Sequence, residues 1–124
     1  EVEMIKQNLP ENKIVILSPD DTYLFYLTEK QNFLSDNSQY TILTEVDMNY
    51  SLKDVYQTCP KRIVADCTLF NKCKNSKPFT TLAGFSIQPI MLKKIQEKCN
   101  LQYEAKICTE QLCIVEAKNQ WPIR

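Results

Sequence analysis

All six cysteines of this chain lie between Cys59 and Cys113, and the 58 residues before them contain none. An even number of cysteines confined to one half of a short chain points to three disulfides and an oxidising compartment. Whatever the first half forms, the second half must fold around three cross-links at Cys59, Cys67, Cys73, Cys99, Cys108 and Cys113. The only glycine is Gly84, which argues against a loop-rich miniature protein and for regular elements between the bridges.

With 124 residues the chain is long enough to bury a core of its own, and 44% of its residues are apolar. Fifteen basic residues balance fifteen acidic ones. That removes the net positive field behind most nucleic-acid affinity, so no nucleic-acid partner is expected. Histidine is absent. Its absence removes Ser-His and Cys-His nucleophilic pairs, imidazole-ligated metals and the usual sensor of mild acid.

Hydrophobic patterning reads as alternating strands and helices. Residues 1–12 are polar and aperiodic and read as a linker or frayed N-terminal arm, leaving 13–124 as a single domain. Residues 13–17 contain the aliphatic run Ile14-Val15-Ile16-Leu17, expected to form a central buried strand. Ser18-Pro19-Asp20-Asp21 reads as a helix start, with Tyr23, Leu24, Leu27 and Leu34 near one face. A second strand is expected over 40–46. Ser51 and Asp54 resemble a capping box for a helix carrying Leu52, Val55, Tyr56 and Cys59, which Pro60 ends. A third strand follows over 62–67, then a polar loop over 68–78.

Gln88-Pro89 opens a further helix, with Met91, Leu92, Ile95 and Cys99 inward and Lys93, Lys94, Glu97 and Lys98 outward. Residues 101–108 and 112–117 form a hairpin, and Trp121 closes the tail. The fold class is therefore α/β: a two-layer or three-layer sandwich on a mixed sheet. The expected order is β-α-β-α-β-loop-α-β-β, with a C-terminal β-hairpin and disulfide staples.

Asp20 and Asp21 after the first strand, Leu52, Pro60 and Asp66 ending the third strand give residues 13–66 a pattern that resembles a phosphoacceptor receiver domain of two-component signalling. The resemblance implies carboxylates gathered around a divalent metal at the carboxyl ends of parallel strands, with one of them phosphorylated. It stops at about residue 66. No hydroxyl residue ends a fourth strand, and Lys118 is followed by Asn119 rather than proline.

Other constellations point to structure. The cysteine spacings contain no C-x-x-C, the usual mark of structural zinc or of a redox dithiol, so no metal or cofactor is expected. Asp20 with Asp21 and Glu110 with Glu116 are the acid pairs available for proton transfer, and no catalytic residue is assigned. Lys72, Lys74, Lys77 and Phe79 form the candidate partner-contact loop. Asn49-Tyr50-Ser51 matches a glycosylation sequon.

Six cysteines permit fifteen pairings. Element placement favours Cys108–Cys113 across the hairpin, Cys67–Cys73 closing the loop after the third strand, and Cys59–Cys99 joining two helix ends. The chain is thus expected to be a non-catalytic, periplasmic or secreted protein-binding domain. A sensor or signalling ectodomain, or an accessory of a surface or secretion assembly, fits that description. Membrane attachment would come only through an upstream anchor. A secreted enzyme inhibitor or immunity protein and a degenerate receiver-like phosphoacceptor are the alternatives.

Overall fold

The computed structural model describes residues 2–18, 21–34, 45–73 and 87–118. Its elements are α1 (Val2–Asn8), β1 (Lys13–Ile14), β2 (Ile16–Leu17), α2 (Asp21–Thr28), β3 (Gln31–Asn32), α3 (Glu45–Ser51), α4 (Lys53–Thr58), β4 (Arg62–Asp66), a 3₁₀ turn (Cys67–Phe70), α5 (Gln88–Cys99), β5 (Tyr103–Cys108) and β6 (Leu112–Ala117). Helix and strand are mixed in two sheets.

One sheet has the order β2-β4-β6-β5. β2 and β4 are parallel, with Ile16 opposite Val64, whereas β4–β6 and β6–β5 are antiparallel. β1 pairs in parallel with β3 as a separate two-stranded sheet. Residues 13–17 therefore serve both sheets. The Ile14 carbonyl accepts from Phe33 N–H at 3.0 Å, and the next carbonyl, Val15, accepts from Val64 N–H at 2.9 Å on the other side. Successive carbonyls of an extended chain point to opposite edges, so one short aliphatic run can sit between two neighbours.

Period-two alternation divides the core across the four-stranded sheet. Ile14, Ile16, Val64, Leu112 and Ile114 pack with Ile5, Leu9 and Leu24. Val15, Leu17, Ile63, Ala65, Cys113 and Val115 pack with Met48, Leu52, Val55, Met91, Leu92 and Ile95. Helices α1 and α2 thus bury their apolar stripes among one alternating set of strand residues, and α3, α4 and α5 among the other. Each fully buried aliphatic side chain contributes about 1.5–3 kcal/mol, so neither set is dispensable.

Several sequence expectations are corrected. Residues 1–12 are not a frayed arm: Ile5 of α1 and Leu9 just after it are fully buried, and Arg62 Nη1 donates to the Asn8 carbonyl at 3.2 Å. The signal was weak because one turn-spaced pair of apolar residues in a polar dodecamer makes no periodicity. The helix expected to reach Leu34 ends at Thr28. Glu29 turns left-handed (φ 58°), and Lys30 N–H closes onto the Phe25 carbonyl at 3.3 Å. Leu24 and Leu34 consequently join different core clusters.

The strand expected over 40–46 does not include its last two residues. Glu45 and Val46 open α3, and 40–44 lie outside the described residues. The Ser51–Asp54 capping box does not form either. Ser51 is the last residue of α3, and α4 begins after Leu52 without a side-chain cap. Among the described residues the observed order therefore departs from the expected one by an added N-terminal helix, a split first strand, the short β3 within the span read as the first helix, and a helix pair where one helix was read. The helix at 88–99 lies where patterning placed it; the strand expected over 62–67 spans 62–66, and the hairpin strands expected over 101–108 and 112–117 span 103–108 and 112–117.

Among the described residues four that are not glycine adopt positive φ: Glu29, Cys59, Asn71 and Asn100. Each stops a helix or turn, the task glycine usually performs in richer sequences. Cys59 ends α4 with its N–H on the Val55 carbonyl, and Asn100 ends α5 with its N–H on the Gln96 carbonyl.

Candidate functional site

The two helix ends capped by Cys59 and Asn100 meet at a disulfide. Cys59 and Cys99 are bonded, with Cα atoms 5.6 Å apart across 40 residues of sequence. Cys67 pairs with Cys73 and Cys108 with Cys113, and no cysteine is free. This is the pairing that element placement favoured.

From that staple a groove of about 520 Å³ runs between α3–α4 and α5, lined by Asn49, Tyr56, Lys94, Glu97 and Lys98. Helical spacing explains the α5 wall. Met91, Leu92 and Ile95 face the core, which leaves Lys94, Glu97 and Lys98 along the more exposed flank of the helix. The Cys59–Cys99 bond joins the groove walls at one end of α4 and α5. An ion pair between Lys94 and Glu45, the first residue of α3, joins them farther along.

Tyr56 forms the groove's aromatic surface. Its hydroxyl donates to Asn49 Oδ1 at 3.4 Å, and Lys98 Nζ stands 5.7 Å from the ring centroid, within cation–π range. Partial burial pushes the Tyr56 phenol above its ordinary range, with the Lys94 ammonium pulling the other way and Glu45 reinforcing the rise. The Glu45 carboxylate holds Lys94 protonated beyond its usual range. Beside the groove, Val46 and Tyr50, four residues apart on α3, are 77% and 56% exposed, and Lys53 lies 4.4 Å over the Tyr50 ring. The site combines an aromatic face, an amide and both signs of charge.

The residues singled out from sequence are distributed as follows. Asp20 lies outside the described residues. Asp66 is half-buried, and its Oδ1 accepts from Thr68 N–H at 3.0 Å and Thr68 Oγ at 3.1 Å, so it caps the 3₁₀ turn. Beyond β2–β4 the sheet is antiparallel, so the parallel scaffold implied by the receiver likeness stops there. Glu116 accepts from Arg62 Nε at 3.0 Å across the β4–β6 ladder, while Glu110 sits in the hairpin turn.

Lys72 is exposed, with its backbone N–H on the Cys67 carbonyl at 3.1 Å; Lys74, Lys77 and Phe79 lie outside the described residues, as do Gly84 and Trp121. In the sequon, Asn49 is exposed but Ser51 is fully buried at the end of α3. Among the described residues Asp66, Cys67 and Cys73 form a group of potential metal donors, with both sulfurs engaged in their mutual bond.

Sequence reasoning placed Lys94, Glu97 and Lys98 outward on their helix but did not assemble the groove. The α4 helix supplies Tyr56 and the end of α3 supplies Asn49, and nothing in the local pattern said which helices would lie side by side. The shared long-range bridge from Cys59 to Cys99 was the available signal.

The fold and bridges define a disulfide-bonded, mixed α/β protein. No protein-family model matches the chain, and no curated protein or solved structure matches it either. No helix among the described residues is long and apolar enough to cross a membrane. The three disulfides are compatible with an oxidising, extracellular compartment.

Proposed function

We propose that this chain is a non-catalytic extracytoplasmic binding domain that engages a protein partner through the groove between α3–α4 and α5. The observation that carries the reading is a stapled groove whose lining holds an aromatic ring, an amide and charges of both signs. Lys94, Lys98 and Glu97 alternate sign along one wall, which suits a partner segment carrying complementary charges of both signs. Exposed Val46 and Tyr50 extend the apolar contact beyond the groove rim. An aromatic contact held by rigid helices costs little side-chain entropy on binding, as recognition surfaces require. The helices packing against both alternating sets of strand residues support a three-layer sandwich as the scaffold.

A role as a sensor ectodomain or an accessory of a surface or secretion assembly follows from the same reading, with the envelope or extracellular space as its location. The test is affinity capture from the native envelope with the oxidised chain, compared with Tyr56→Ala and Lys98→Glu. Tyr26→Ala serves as control, since Tyr26 is 79% exposed on α2 and lies outside the groove. The reading requires a protein held by the parent and by Tyr26→Ala and lost from both groove variants, with circular dichroism unchanged. Capture of nothing, or equal capture by all four proteins, overturns it.

A further inference from the structure

The turn that leaves β4 holds three metal-donor side chains at one corner. One carboxylate oxygen of Asp66, the sulfur of Cys67 and the sulfur of Cys73 all lie within 4.8 Å of one another. In the oxidised protein the sulfurs are bonded together, and disulfide sulfur is a poor ligand because the metal-binding species is the thiolate.

Hydrogen bonds hold the turn alongside that bond. Cys67 N–H donates to the Gln111 carbonyl at 2.9 Å, anchoring the turn to the start of β6, and Lys72 N–H donates to the Cys67 carbonyl at 3.1 Å. Asn71 adopts φ 57°, with its N–H on the Cys67 and Thr68 carbonyls, and Asp66 Oδ1 caps Thr68. This network turns the chain back through Lys72, the residue before Cys73. The backbone carbonyl of Glu110 lies 3.4 Å from Cys67 Sγ and adds another oxygen at the same corner.

We infer that reduction of Cys67–Cys73 turns this corner into a metal site for zinc or a similar borderline-soft divalent ion, with the Cys67 and Cys73 thiolates and the Asp66 carboxylate as ligands. A tetrahedral zinc site with metal–sulfur bonds of about 2.3 Å and metal–oxygen bonds of about 2.0 Å places its ligands roughly 3.5–3.8 Å apart. The present separations reach that with side-chain rotation once the sulfurs part. A water or the Glu110 carbonyl completes the coordination. Asp66 then exchanges part of its capping role for coordination.

The chemistry balances with a dithiol as reductant. The dithiol gives two electrons and two protons to the sulfur–sulfur bond and leaves as its own disulfide. The metal then displaces both thiol protons and forms two metal–sulfur bonds. Reduction and metal capture are thereby linked, since the ion stabilises the reduced turn.

The test uses the full chain, reduced with a phosphine, freed of reductant under argon and titrated with Co²⁺ and then Zn²⁺. One Co²⁺ per chain is expected, with a near-ultraviolet sulfur-to-metal charge-transfer band that Zn²⁺ abolishes. Alkylation mapping should find Cys67 and Cys73 protected by the metal and the other four thiols reactive. Asp66→Asn should weaken binding at least tenfold, Cys67→Ser with Cys73→Ser should abolish the band, and the oxidised chain should bind nothing. Cys108→Val with Cys113→Val must leave the titration unchanged, which separates this site from binding by a loosened hairpin. Absence of a bound ion, protection of other cysteines instead, or an unaltered affinity in Asp66→Asn overturns the proposal.

Discussion

The Tyr103 hydroxyl donates to the Pro60 carbonyl at 2.5 Å, joining the first residue of β5 to the connection between α4 and β4. Tyr103 is 4% exposed, and its own backbone N–H donates to Gln96 Oε1 at 2.9 Å. One tyrosine therefore ties β5, α5 and the α4–β4 turn together one residue from the Cys59 bridgehead. Removing its hydroxyl leaves a carbonyl at that junction without this donor. Tyr103→Phe should cost about 1–3 kcal/mol in urea unfolding, with the slope against urea unchanged.

The same residue sets an alkaline limit. Burial pushes the Tyr103 phenol far above its reference value of 10.0. An acid whose folded pKa is raised stabilises the fold fully below the unfolded pKa, and that contribution is lost as pH climbs above it toward the folded pKa. Unfolding free energy should accordingly decline as pH rises above about 10. The decline should be shallower in Tyr103→Phe. Equal slopes in the two proteins would assign the decline to other groups.

The three bridges should not contribute equally. Loop-closure entropy assigns about 4 kcal/mol to Cys59–Cys99, which spans 40 residues, and about 2 kcal/mol to each bridge spanning 6 or 5. Replacing Cys59 and Cys99 together with serine should lower the denaturation midpoint more than replacing Cys108 and Cys113. The long bridge also holds the groove, so the same double variant should lose partner binding at temperatures where it is still folded.

Ile5 tests whether α1 belongs to the fold. Its side chain is fully buried among Ile14, Ile16, Val64 and Ile114. Ile5→Ala should destabilise by about 2–5 kcal/mol in chemical denaturation, the usual cost of a large core truncation. A frayed arm would show no change.

Ser51 predicts the opposite sign. Its Oγ is buried and has no hydrogen-bond partner among the described residues, at the junction where α3 gives way to α4. Burying a hydroxyl without a partner costs about 1–3 kcal/mol, so Ser51→Ala should raise the melting temperature. A loss of stability would show that the hydroxyl is paired in solution.

Strand alternation at 62–66 and 112–117, the turn-flanking cysteines of the hairpin and the apolar spacing of Met91, Leu92 and Ile95 are local patterns, legible without coordinates. Six cysteines and no histidine also limit the chemistry whatever the fold, and the three bridges are compatible with an oxidising compartment. What local pattern did not contain was the partnering. α1 is a helix of seven residues whose one buried side chain, Ile5, has meaning only against the strand residues Ile14, Ile16, Val64 and Ile114. Val46 lies in a segment whose propensity suggests a strand, yet it takes the helix that brings Met48 into the core. The 13–17 run divides between two sheets because its alternate carbonyls meet different neighbours.

The sequence by itself thus determined the cross-linked second half, the hairpin, the long helix and the exclusion of imidazole chemistry, all of which depend on residue type and short-range period. Tertiary structure alone decided that Glu45 at the start of α3 reaches Lys94 and that Tyr56 and Asn49 line one groove with Lys94 and Lys98. The physical reason is that burial rewards any arrangement which covers the apolar faces. Only the summed packing of both faces, together with a bridge across 40 residues, selects the one that creates the groove.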